Sequence, residues 1–115
     1  MGIGKAGDAN WQAAVLEDGR PVLVEFVRDT CPVCAVMAPV VEGLAATFEG
    51  RVPVYRVDVD SEPDLVWAYE VMSTPTFIVF RDGEPLHTLA GEVDGAALEG
   101  ILEDALDSGG AADPR

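Results

Sequence analysis

Two cysteines separated by two residues are the side chains best suited to chemistry in this sequence. Cys31 and Cys34 are the only cysteines among its 115 residues. They come after an apolar run and begin a stretch of helical periodicity, so we expect them at the start of a helix. Residues three apart in a first helical turn are close enough to form a disulfide. Because so small a loop gains little stability from a cross-link, the spacing favours a redox role.

A position at the start of a helix would make the two sulfurs chemically different. The thiolate of Cys31 would lie near free backbone N–H groups and the positive end of the helix dipole, which lowers the pKa of a thiol and makes it the nucleophile. Cys34 lies one turn further on and should be more buried and less acidic. We expect it to resolve the mixed disulfide that Cys31 forms.

A structural zinc site and an unreactive pair are the alternative interpretations of these cysteines. Zinc normally takes four protein ligands in a structural site. Here two thiols are accompanied by one histidine, His87, which falls in a different predicted strand. A cysteine pair of this spacing beside a β-α-β pattern is typical of redox motifs. We therefore expect no metal and no bound cofactor, only a redox-active Cys31–Cys34 disulfide.

The segments around the cysteines predict a mixed sheet with helices on both faces. The predicted order is α-β-α-β-α-β-β-α, with strands over residues 22–27, 53–59, 76–80 and 86–89 and helices beginning near Asp8, Cys31, Ser61 and Asp94. Strands joined by helices pair in parallel, whereas the Asp82-Gly83 turn predicts an antiparallel hairpin. We expect residues 1–7 to be irregular, residues 8–107 to form one domain, and residues 108–115 to be a flexible tail.

The charge of the chain excludes several classes of partner. The net charge is −14, and the seven basic residues form no cluster, so we expect no nucleic acid and no anionic membrane surface as a partner. We interpret the acidity as a source of solubility. The N-terminus lacks the apolar region of a signal peptide, and no apolar run is long enough to span a membrane, so we expect a cytoplasmic protein. Nothing in the sequence demands a dimer, and we expect a monomer.

Several short motifs resemble the thioredoxin family, in the same order and at matching spacing. Besides the cysteine pair they are Val22–Val27, Pro39, Val57–Asp60, Ser73–Phe77, Phe80–Glu84 and Gly91. The resemblance covers about residues 10 to 106. It implies an α/β thioredoxin fold, with a mixed central sheet flanked by helices on both faces. This sequence departs from the family at its N-terminus, where we expect the usual edge strand to be weak or absent.

The resemblance also implies further site residues. Glu25 takes the place of a buried acid that accepts the proton of the resolving thiol, and burial should raise its pKa. Pro75 takes the place of a cis-proline, with Thr74 and Gly91 beside it on the surface that binds an extended substrate segment. Arg56 replaces a lysine near the acid and would keep Glu25 ionised. The alternatives are a solvent-facing Glu25, a trans Pro75 and an exposed Arg56.

The cysteine motif itself differs from the family's usual Trp-Cys-Gly-Pro-Cys. Thr30 stands where the tryptophan would be, and Pro32-Val33 lies between the cysteines. The intervening pair influences the stability of the thiolate and hence the redox potential, so Pro32 and Val33 should modulate the reaction. Pro-Val is similar to the Pro-X pairs of glutaredoxins and some disulfide oxidases. We expect Trp11 and Trp67 to be packing residues and not site residues.

The function implied is thiol–disulfide exchange on protein disulfides, with electrons supplied by a partner reductase. Two alternatives stay open. One is a redox sensor or binding module of the same fold whose cysteines toggle without turnover. The other is a disulfide oxidase or isomerase.

Overall fold

Five strands form the sheet in the computed structural model, which describes residues 2–111 of the chain. The strands are β1 (Gly4–Lys5), β2 (Val22–Val27), β3 (Val54–Asp58), β4 (Thr76–Arg81) and β5 (Glu84–Ala90). Their order across the sheet is β1-β3-β2-β4-β5, with β1 and β2 parallel to β3, and β4 antiparallel to β2 and β5. The predicted mixed sheet is therefore confirmed, and β2, which leads into the cysteines, is its central strand.

Helices pack against both faces of this sheet: α1 (Pro32–Thr47), α2 (Pro63–Ala68) and α3 (Gly95–Ala111). Asp94 caps α3 as predicted, because its carboxylate accepts the backbone N–H of Ala96 at 3.2 Å. Ser61 was expected to begin α2, but its hydroxyl donates to Asp58 at 3.1 Å. Glu62 instead precedes the helix, without a side-chain capping bond.

The prediction of one continuous helix beginning near Asp8 is wrong. Asp8–Asn10 makes a 3₁₀ turn, and Gln12–Leu16 makes a wider, π-type turn. Asp8 lies inside the first turn and does not cap it. The side chain of Asn10 instead accepts the backbone N–H of Gly7 at 2.9 Å. Two short turns of different pitch therefore replace the continuous helix that the apolar spacing predicted.

The two ends of the domain differ from the expected boundaries. β1 is a weak edge strand of two residues, and Ala6 after it is buried, so part of the segment expected to be irregular belongs to the sheet. Gly4 permits this pairing because a Cβ there would lie 2.8 Å from the ring of Tyr55. The expected boundary at residue 107 falls within α3, which continues to Ala111; residues 112–115 of the expected tail lie outside the described residues.

The sheet separates two apolar clusters, because side chains alternate between its faces. On one face Leu23 packs with Phe48, which follows α1, and with the buried stripes of α1 and α3, which include Met37, Val41, Leu44, Leu98 and Leu102. On the other face Val24 and Phe26 pack with the N-terminal turns and α2. No helix within residues 2–111 is long and apolar enough to cross a membrane.

The two tryptophans have opposite environments. Trp11 is 6% exposed and packs in the core, as expected, whereas Trp67 is 85% exposed, so the packing role predicted for it is wrong. Leu65 is the buried residue of α2. Two residues along a helix turn the side chain by roughly 200°, which places Trp67 on the opposite, solvent-facing side.

Candidate active site

The two cysteines form the predicted disulfide across the start of α1. Their Cα atoms are 5.2 Å apart. Cys31 has an extended backbone and occupies the position just before the helix, and Pro32 is the first helical residue. A proline suits this position because its missing N–H would have no partner in a first helical turn, and its fixed φ favours a helix.

Cys31 and Cys34 differ in their hydrogen bonds and in their burial. The backbone N–H of Cys34 donates to the Sγ of Cys31 at 3.0 Å, and no acidic residue occupies the first turn of α1. Both features favour a negative charge on this sulfur in the reduced protein. Cys31 is partly exposed, whereas Cys34 is buried. The first sulfur is therefore the one that another molecule can reach.

The loop before β4 lies directly against the first sulfur. The Thr74–Pro75 peptide bond is cis, as the resemblance implied, and the carbonyl oxygen of Thr74 is 3.4 Å from the Sγ of Cys31. The backbone N–H of Gly91, at the end of β5, donates to the carbonyl of Pro75 at 2.9 Å. The fold thus brings Thr74 into contact with Cys31 from a distant part of the sequence and places Gly91 against Pro75.

Glu25 and Arg56 form an ion pair on the face of the sheet that α1 covers. They are neighbours in the register of β2 and β3, and the Nε of Arg56 donates to the Oε1 of Glu25 at 2.9 Å. Glu25 is fully buried, so the alternative of a solvent-facing acid is wrong, and Arg56 is only partly exposed.

Two opposing effects act on the Glu25 carboxyl. Burial raises its pKa, and Arg56 lowers it by a hydrogen bond and by its charge; burial is the larger effect, so the pKa is raised from its ordinary value. Arg56 alone therefore does not determine the charge of Glu25. The Oε2 of Glu25 is buried and has no hydrogen-bond partner within the described chain, which leaves it able to accept a proton.

Comparison with known proteins identifies the family. The family model described as Thioredoxin matches residues 3–104. The chain belongs to the thioredoxin family. A thioredoxin of Staphylococcus aureus is 44% identical over 106 residues, which are 92% of this chain and 100% of that protein. "Thioredoxin M4, chloroplastic" of Arabidopsis thaliana is 38% identical over 96 residues, 84% of this chain; that alignment spans 50% of the plant protein.

Family membership and the disulfide-forming cysteine pair together show a thiol–disulfide oxidoreductase with the thioredoxin fold. Within this thioredoxin fold, Pro32 is exposed and Val33 packs partly against the core beneath α1. Within the part of the chain that the structure describes, no three His, Cys, Asp or Glu side chains come together as a metal-binding group.

Sequence reasoning missed one feature of this thioredoxin site. A small depression of about 70 Å³ lies beside Thr74, and its lining residues include Arg28, Val59, Val66 and Val71. In the sequence these valines are indistinguishable from core residues. Only the fold shows that they also form surface next to the reactive sulfur.

Proposed function

We propose that this protein reduces disulfides of other proteins in the cytoplasm, as a monomer without a bound cofactor, and is re-reduced by a separate reductase. The observation that carries the proposal is the setting of the Cys31 sulfur. It lies at the start of α1, accepts a backbone N–H and contacts the carbonyl oxygen of Thr74. A nucleophile and a backbone edge that can bind a peptide are thus in contact.

In the first step, the thiolate of reduced Cys31 attacks one sulfur of a substrate disulfide. A bond forms between that sulfur and Cys31, and the second substrate sulfur leaves as a thiolate. The start of α1 supports this step, because its N–H groups and dipole stabilise the attacking anion at neutral pH.

In the second step, Cys34 resolves the mixed disulfide. Its thiol loses a proton to the Glu25 carboxylate, and the resulting thiolate attacks the Sγ of Cys31. The Cys31–Cys34 disulfide forms, and the substrate leaves as a dithiol that carries two electrons from the protein. The raised pKa of Glu25 supports this role, since a carboxylate with a pKa closer to neutrality is a better base for a thiol.

Substrate binding would use the backbone beside the disulfide. An extended segment can add to an exposed edge through main-chain hydrogen bonds. The Thr74–Pro75 loop offers that edge. The Gly91 N–H donates a hydrogen bond to the Pro75 carbonyl, which stabilises the loop. A backbone contact of this kind accepts many sequences, which suits a general protein-disulfide reductase.

The test is reduction of insulin in the presence of dithiothreitol, with Cys31→Ser and Cys34→Ser as variants. We expect the parent to accelerate the reaction and Cys31→Ser to be inactive. Cys34→Ser should form a mixed disulfide with insulin that mass spectrometry detects, because nothing resolves it. Equal turnover by parent and Cys31→Ser would overturn the proposed mechanism. A parent that reduces only one equivalent of substrate would favour a redox sensor.

The Pro32-Val33 pair specifically favours a second candidate, a disulfide oxidase or isomerase. It is the departure from the usual family motif that most directly affects thiolate stability. The reduction potential separates the candidates. A value near about −270 mV agrees with a reductase, whereas one near about −120 mV requires an oxidase.

A further inference from the structure

We propose that an exposed apolar surface on α2 and the following loop selects the substrates of the active site. It consists of Val66, Trp67, Ala68, Glu70, Val71 and Met72, and we call it the Trp67–Met72 surface. Its occupant would be a substrate segment that carries a large apolar side chain flanked by Lys or Arg, close to the disulfide that is attacked. This inference rests on the proposed function and adds a substrate class to it.

The exposure of two large apolar side chains is the first observation. Trp67 is 85% exposed and Met72 is 90% exposed. Together with Val66 and Val71 they line an open groove of about 660 Å³. Single exposed apolar residues are common, but a groove with an aromatic and a methionine side chain has the composition of a binding surface. Methionine adapts its shape to varied apolar partners.

Continuity with the active site is the second observation. Val66, Val71 and Met72 line both this groove and the depression beside Thr74. Met72 is two residues from Thr74, so their Cα atoms are at most about 7 Å apart. An extended segment whose sulfur lies at Cys31 would therefore reach the Trp67–Met72 surface within about four residues.

Charge supplies the third observation and identifies the occupant. Glu70 lines the groove, and the exposed Asp64 lies one turn before Trp67 on α2. Arg28, beside the adjoining depression, pairs with Asp60 at 3.1 Å and adds no net positive charge. An apolar groove with an acidic edge complements a segment with apolar and basic side chains. A second copy of the chain is a poor occupant, because each copy carries a net charge of −14.

The experiment compares Trp67→Ser with the parent on three oxidised probes. The first is a peptide with an internal disulfide flanked on both sides by Leu and Arg. The second is the same peptide with Ser for Leu, and the third is hydroxyethyl disulfide. Pre-reduced protein is mixed with each probe, the reaction is quenched with acid, and the single-turnover rate constant is measured by chromatography. Leu86→Ser, which removes an exposed leucine from β5, is the matched control.

We expect Trp67→Ser to lower the rate constant for the Leu/Arg peptide by about five- to tenfold, the usual effect of removing an aromatic anchor. The rates for the Ser peptide and for hydroxyethyl disulfide should not change, and Leu86→Ser should match the parent on all three probes. High salt should slow the reaction of the parent with the two Arg-containing peptides and leave its reaction with hydroxyethyl disulfide unchanged.

Each contrary result has a distinct meaning. A parent that reduces none of the probes would overturn the proposed function and this inference with it. If the parent is active and Trp67→Ser reduces the Leu/Arg peptide at the same rate, the inference alone is wrong. Equal slowing on all three probes would show a structural role for Trp67. Sedimentation that finds a dimer in the parent and a monomer in Trp67→Ser would assign the surface to a second copy.

Discussion

The side chains buried on the two faces of the central sheet differ in kind. The face under α1 and α3 is aliphatic apart from Phe48 and Phe77, yet it also contains the Glu25–Arg56 ion pair. The opposite face contains an aromatic group of Trp11, Tyr69 and Phe80, with ring centroids 5.1 to 5.6 Å apart. A charged group is thus buried on the side where the cysteines begin their helix.

This difference shows how stability and chemistry are divided in a small domain. Long helices with continuous apolar stripes cover the first face, and their packing tolerates one buried acid that costs desolvation energy. Short turns and the two-turn helix α2 cover the second face, and aromatic rings supply large buried areas there. We expect changes on the second face to affect stability, and changes at Glu25 to affect chemistry and its pH dependence.

The largest effect is expected from Trp11→Ala. This side chain packs edge-on against Phe80, and its indole N–H donates to the Tyr69 hydroxyl at 3.3 Å. Its loss should lower the free energy of unfolding by about 3–5 kcal/mol, because a buried cavity replaces the indole. Urea unfolding of the oxidised protein measures the change, and the reduction rate per folded molecule should not alter.

Trp67→Ala is the matched control, since it removes the same side chain from a solvent-exposed position. We expect it to change the free energy of unfolding by less than about 0.5 kcal/mol. Equal destabilisation by the two substitutions would mean that the aromatic group does not stabilise the second face as argued.

The next effect concerns Glu25→Gln on the first face. Removal of the proton acceptor should slow resolution by Cys34 by roughly tenfold or more, because a positioned general base typically contributes at least that much. Quenched-flow measurement of the lifetime of the mixed disulfide detects the change. The first attack by Cys31 should be unaffected, since its thiolate depends on the start of α1. Slowing of the first attack alone would reassign Glu25 to activation of Cys31.

The same substitution tests the pH dependence of stability. Because the pKa of Glu25 is raised by burial, the folded protein holds this proton more tightly than the unfolded chain. The stability from this group is therefore complete below the ordinary carboxyl pKa of 4.5 and is lost as the pH rises through the raised value. Glu25→Gln should lose less stability than the parent over that range, whereas exposed Glu42→Gln should follow the parent.

The features of the fold and the active site that the sequence predicts are those determined by residues close together in the chain. The cysteine turn, the Asp94 cap and the buried strand β2 follow from spacing and periodicity, and the structure agrees with each. The cis bond at Pro75 and the buried Glu25 were implied only by family resemblance. Their contacts join residues far apart in the chain, such as Thr74 with Cys31 and Arg56 with Glu25.

The errors have equally specific causes. Trp67 was expected in the core because tryptophan is a large apolar residue, but its position two residues after Leu65 on a short helix turns it outward. The N-terminal segment was expected to be irregular because of its glycines, yet Gly4 is what allows β1 to approach Tyr55. In both cases the residue type was weighed without the neighbour that determines its environment, which is Leu65 on the same helix for Trp67 and Tyr55 on β3 for Gly4.

The smallest expected effect is at Gly91, directly after β5. Gly91 has a φ of +86°, a conformation that side chains disfavour, and a Cβ there would have no atom within 4 Å. Gly91→Ala should therefore lower the free energy of unfolding by about 1 kcal/mol through backbone conformation alone. Gly43→Ala is the control, because Gly43 also has open space around it but lies in α1. Gly43→Ala should stabilise the protein by about 0.5–1 kcal/mol. If the two substitutions changed the free energy of unfolding in the same direction, backbone conformation would not explain the effect at Gly91.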